Sequence, residues 1–186
     1  MKKTLTSLAL CLVTTLAWAQ TNLPYWKDIQ TVGVNREAAR TAFMTYDNRE
    51  NALTGKYTNS PYYQLLNGTW NFYYVDAYKD LPVGIEQPEA AIDWKTIKVP
   101  GNWEMQGHGV AIYTNHGYEW KPRNPKPPQL PEATPVGVYQ REFEIPASWD
   151  GRDIFLSIDG AKSGVYVYVN GKEVGYSEDS KNTAEF

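Results

Sequence analysis

The stretch VYVYVNGKEVGY, Val165–Tyr176, restricts the fold more than any other part of the sequence. Valines and tyrosines alternate up to Asn170-Gly171, and a second β-rich run follows at once. Asn-Gly supplies the two left-handed positions of a two-residue type I′ turn, so the stretch reads as a β-hairpin. That turn sets Val169 opposite Lys172 and Val167 opposite Val174. Val165, Val167 and Val169 then share one face, with Tyr166 and Tyr168 on the other. A lone hairpin is marginal in water, so other strands must cover one face.

Those strands are legible upstream. Tyr139, Arg141, Phe143 and Ile145 alternate with Gln140, Glu142 and Glu144, the pattern of an antiparallel strand with one wet face. Ile154, Leu156 and Ile158 share a face in the same way. Asn67-Gly68 is a turn that feeds a strand over Thr69–Val75, and Ile97–Pro100 is a short strand stopped by Pro100-Gly101. Six prolines between Glu119 and Pro135 exclude helix and central strand there, and predict an extended surface loop. Short antiparallel strands joined by long loops define an all-β class, a jelly-roll β-sandwich. Too few strands remain to cover the last hairpin, so the jelly roll is expected to be C-terminally incomplete and the chain to be the front part of a longer protein.

The sequence divides into three. Lys2 and Lys3, the apolar run Leu5–Leu16 and Ala17-Trp18-Ala19 form a secretory signal peptide over residues 1–19, with export to the periplasm or medium as its consequence. The apolar run is too short to span a bilayer. Residues 20–60 lack periodicity and are expected to form an arm along the rest of the protein, with Trp26 and Tyr46 as anchors and room for one or two helical turns over Glu37–Tyr46. Residues 61–186 form the jelly roll.

Cys11, in the leader, is the only cysteine, so the mature chain has no disulfide and relies on its core. The net charge of −3, with no basic stripe, argues against nucleic acid as partner. Seven Trp and fourteen Tyr suit a β core and also suit sugar binding.

Chemistry-bearing motifs are sparse. His108 and His116, eight residues apart and without cysteine nearby, match no zinc spacing. Phosphate loops and the G-x-S-x-G nucleophile motif are missing. Glu104, Asp159, Glu178 and Asp179 could serve acid–base chemistry, but no spacing selects a pair. Asn115, just before the proline-rich stretch, and Asp179, just after the hairpin, are placed to hydrogen-bond sugar hydroxyls or simply to cap turns. The glycine-rich VPGNWEMQGHGVAIYTN, Val99–Asn115, is either a packing corner or a ligand-facing loop.

LNGTW (Leu66–Trp70), VPGNWEMQGHGVAIYTN, PVGVYQREFEIP (Pro135–Pro146) and DGAKSGVYVYVNGKEVGYSEDS (Asp159–Ser180) occur in that order. With YWKDIQTVGVNRE (Tyr25–Glu37) as entry segment, the chain resembles the N-terminal sugar-binding domain of family 2 glycoside hydrolases and looks like that of the large β-galactosidases. The resemblance implies a jelly roll packed on a catalytic TIM barrel absent from this chain. That barrel would carry two glutamates for a retaining hydrolysis of β-galactosides, with no catalytic residue in this fragment. It further implies that Asn115 and Asp179 line the galactose pocket, and that Asp179 lies near a sodium ion at the sugar 6-hydroxyl. Sodium and magnesium would belong to the full-length enzyme, which could be a homo-oligomer. Two stretches depart from the family pattern: Lys181-Asn182-Thr183 stands where Arg-Leu-Pro is usual, and His116-Gly117-Tyr118-Glu119 follows I-Y-T-N. A free-standing carbohydrate-binding module, a protein-docking domain, and a β-glucuronidase or β-mannosidase are the competing readings. The I-Y-T-N motif favours galactosidase over the last two.

Overall fold

The structure, a computed structural model, describes residues 24–113, 126, 129–131 and 133–186. The expected leader over residues 1–19, Asn115, His116 and most of the proline-rich stretch lie outside the described residues.

Eight strands occur among the described residues, all paired antiparallel: β1 (Gly33–Val34), β2 (Gly68–Val75), β3 (Lys95–Val99), β4 (Val136–Gln140), β5 (Ser157–Ile158), β6 (Val165–Val169), β7 (Lys172–Ser177) and β8 (Ala184–Glu185). They form the sheets β1-β7-β6 and β3-β2-β4 and the ribbon β5-β8. The architecture is the all-β jelly-roll sandwich read from the sequence.

The β6–β7 hairpin turns at Asn170 and Gly171, with φ of 52° and 75°, positive at both positions as a type I′ turn requires. Val169 faces Lys172 as expected. Val167, however, faces Gly175 and not Val174, because a bulge interrupts the ladder between Val167 and Tyr168. A Cβ on Gly175 would lie 2.5 Å from the Phe186 ring and 2.5 Å from the Val34 carbonyl oxygen, so only glycine fits there. Val167, Ala184 and Phe186 form the buried centre of this half, with Leu156, Ile158, Val165 and Val174 packed around them.

The second core is aromatic. Phe72, fully buried in β2, has the rings of His108, Tyr139, Trp103 and Tyr74 at 4.7, 4.8, 6.3 and 6.5 Å between centroids. Trp103 stands on a 3-10 turn, Trp103–Gln106, and its ring occupies the space over Gly137 of β4, where a Cβ would meet it at 2.5 Å. Gln106 holds the turn to β3, accepting from the Lys98 amide at 2.8 Å and donating to the Lys98 carbonyl at 3.0 Å. Val99 to His108 is therefore a packing corner, and His108 is part of its aromatic wall.

Other expected elements are shorter or shifted. The strand foreseen over Val138–Ile145 pairs only as far as Gln140, whose side chain accepts from Asn71 at 3.1 Å. Arg141 then turns its guanidinium onto the carbonyls of Leu66 and Asn67, at 2.7 and 3.0 Å. Phe143 and Ile145 stay 40% and 44% exposed. Of Ile154–Ile158, only Ser157–Ile158 lies in a ladder, extended by reciprocal bonds between Leu156 and Phe186.

The segment Tyr25–Asn35 runs beside the hairpin. The Tyr25 ring stacks on Tyr166 at 5.6 Å and its hydroxyl donates to Glu173 at 2.8 Å. Trp26 packs edge-on against Tyr78 at 4.9 Å, β1 adds to the edge of β7, and Asn35 donates to the Val174 carbonyl. The stretch Glu37–Tyr46 is not helical. Its first residues bond β8 instead, through the Glu37 amide to the Glu185 carbonyl and through Arg40 to the Glu185 carboxylate at 2.7 Å. The α-helix α1 comes later, at Arg49–Leu53, where the Asn48 side chain caps it by accepting from the Asn51 amide. Tyr46 is half-buried, and the neighbouring Thr45 carbonyl accepts from the buried Ser60 hydroxyl.

Candidate functional site

Where β7 ends, the chain turns sharply. Ser177 is buried at 2% exposure, and its Oγ accepts from Arg36 Nη1 of the arm at 2.9 Å. Two residues on, Asp179 reaches solvent with its side chain 51% exposed. Its Oδ1 accepts from Asn182 Nδ2 at 2.8 Å, and its Oδ2 lies 3.8 Å from the same Arg36 Nη1. Lys181 takes a left-handed backbone, φ 69°, and its amide donates to the Ala161 carbonyl at 2.8 Å. The turn is thus pinned from both sides: by the arm at Ser177 and by the loop before β6 at Lys181.

An exposed pair such as Arg36–Asp179 contributes about 0–1 kcal/mol to folding. What it supplies is orientation: a carboxylate facing water, held at one oxygen by an amide and approached at the other by a guanidinium. Such a group can accept hydrogen bonds from a polyol or give one oxygen to a hard cation. A sodium shell needs several oxygens, and Asp179 offers one carboxylate. Among the described residues no cluster of three or more His, Cys, Asp or Glu side chains could hold a metal ion. Asp179 therefore fits as a single ligand at most, beside a cation that opposes a second positive charge.

Just before this turn, the Tyr176 hydroxyl donates to Glu178 Oε2 at 3.0 Å from a ring that is 1% exposed. Burial first, then that hydrogen bond and the Glu178 charge, push its pKa above the ordinary 10.0. The neutral phenol is the form the fold accepts, so its contribution is complete below about pH 10 and is lost as pH rises toward the folded-state value. A titration followed by tyrosinate absorbance should show this tyrosine ionising only with loss of structure; ionisation at the ordinary pH with the fold intact would contradict the burial argument.

Of the two residues picked out by resemblance, the structure describes Asp179 alone, so no distance to Asn115 enters the site. The chain does run from the aromatic corner through Val110, Ile112 and Tyr113, exposed at 77%, 60% and 89%, toward that position. The sequence reading missed Arg36 and Asn182. Arg36 carries no local signal, since its partner Ser177 is 141 residues away. Asn182 had one, being the middle residue of the triplet that departs from the family pattern.

The fold and site define an all-β jelly-roll domain that projects an oriented loop carboxylate from the turn after β7. Residues 63–186 match the family described as "Glycosyl hydrolases family 2, sugar binding domain", and the chain belongs to that family. It is 36% identical to a protein named beta-galactosidase from Priestia megaterium over 167 residues, covering 88% of this chain and 16% of that protein. To proteins of the same name from Actinobacillus pleuropneumoniae and Halalkalibacterium halodurans it is 38% and 35% identical, covering 87% and 89% of this chain and 15% and 16% of theirs. The chain thus spans about a sixth of the length of these curated relatives. No helix among the described residues is long and apolar enough to cross a membrane.

Proposed function

We propose that this chain is the N-terminal sugar-binding part of an exported β-galactosidase, which releases terminal β-D-galactose with retention on a catalytic barrel outside these residues. Asp179, with Asn115, positions the galactose, and neither makes or breaks the glycosidic bond. The observation that carries the reading is the exposed, fixed Asp179 carboxylate on the turn after β7, in a sugar-binding domain whose relatives bear the name beta-galactosidase. Two carboxylate oxygens can accept from adjacent sugar hydroxyls, and holding the ring in line with the reacting groups lowers the barrier. A bound sodium would take one Asp179 oxygen and present its charge to a sugar hydroxyl. The magnesium expected of the full-length enzyme is assigned no ligand in this chain.

The test is Asp179→Ala in the full-length protein, assayed on o-nitrophenyl β-D-galactoside. Loss of a charge-assisted contact should lower kcat/KM about 10- to 100-fold, equivalent to about 1.4–2.7 kcal/mol. Turnover and KM like those of the parent would remove the assignment. Export is tested separately by locating the protein with and without residues 1–19.

A further inference from the structure

We propose that Arg36 and Asn182 are positioning residues for the sugar contact, and that the N-terminal arm thereby forms part of the substrate site. The inference rests on the reading of Asp179 as a galactose ligand and adds which groups aim it.

A half-exposed aspartate in a turn samples several rotamers unless its oxygens are held. Here both are engaged, by groups from different parts of the chain. Asn182 donates to Oδ1 at 2.8 Å from within the turn. Arg36 lies 3.8 Å from Oδ2 and is itself fixed, because the same Nη1 donates to the buried Ser177 Oγ at 2.9 Å. The Asp179 amide approaches that hydroxyl too, at 3.5 Å. Ser177 thus joins the arm, the end of β7 and the turn at one buried atom. The arm cannot slide freely past this point, since Gly33 and Val34 pair with Ser177 and Tyr176 and the Asn35 side chain bonds the Val174 carbonyl. Neither Asn182 nor Arg36 blocks the outer side of the carboxylate, which remains open to a ligand.

A residue that acts through Asp179 should matter only while Asp179 is present, which a double-mutant cycle reads directly. In the full-length protein, Arg36→Ala and Asn182→Ala should each raise KM for o-nitrophenyl β-D-galactoside about tenfold, with any barrier-lowering share of the positioning appearing as a smaller fall in kcat. In the Asp179→Ala background the same changes should alter KM by less than about twofold. Arg36→Lys keeps the charge and should recover part of the loss, and it serves as the second variant should Arg36→Ala fold poorly. Equal effects in both backgrounds would make the two residues merely structural and overturn the inference. So would clamp variants with unchanged KM beside an impaired Asp179→Ala. If Asp179→Ala is itself neutral, the sugar-contact reading fails and the clamp falls with it, a result distinct from failure of the clamp alone.

Discussion

Phe72→Ala is expected to remove about 3–5 kcal/mol from the β3-β2-β4 sheet, the usual cost of emptying a buried phenylalanine site. Phe72 is fully buried. Trp103 stands on a turn that Gln106 ties to β3, the His108 amide just after it donates to the Trp103 carbonyl, and Tyr139 lies on β4, paired directly with Phe72. Planar side chains held by their own backbone relax little, so the cavity term adds to the lost transfer energy. Hydrogen exchange on the full-length protein would read this as a fall in protection of about 10²–10³·⁵-fold across Gly68–Val75 and Val136–Gln140. Parent-like protection in those strands would show that the aromatic ring set does not support the sheet.

The second large effect is expected at Gly175. In Gly175→Ala the new Cβ would meet the Phe186 ring and the Val34 carbonyl oxygen at 2.5 Å each. The ring is part of a side chain and can turn about its own bonds, whereas the carbonyl belongs to the backbone of β1. Overpacking of this kind costs about 1–3 kcal/mol and sometimes more, and relief here requires β1 to leave the edge of β7. Limited proteolysis should then cut within residues 24–40 at least tenfold faster than in the parent. Adding Phe186→Ala should leave most of that sensitivity in place, because the carbonyl clash persists. An arm as resistant in Gly175→Ala as in the parent would refute the close approach.

These two sites show where the sequence speaks and where it is silent. The Asn170-Gly171 turn was legible because its cause lies within the dipeptide itself: two residues that accept positive φ. The β2 strand and the all-β class were legible for the same local reason. The bulge opposite Val167 was not, because no local residue signals it, and the Gly175 beside it is enclosed by Val34 and Phe186, which are distant in sequence. Likewise the room for helical turns over Glu37–Tyr46 goes unused where the chain bonds β8, and the strand over Val138–Ile145 stops where Arg141 finds carbonyl partners beside the Asn67-Gly68 turn. Asp179 stood out through its motif. Its partners did not, because Arg36 reaches the turn only once the arm has docked.

That docking also sets an order of events during synthesis. Tyr25 waits for Glu173, a partner 148 residues later. At about 5–20 residues per second the delay is roughly 7–30 s, during which Tyr25 and the rest of the arm have no strand edge to join. The arm is therefore among the first parts to leave the ribosome and among the last to find its place. The turn that carries Asp179 would acquire its final shape only then, so a nascent chain could hold nearly all of its strands and still lack the proposed sugar contact.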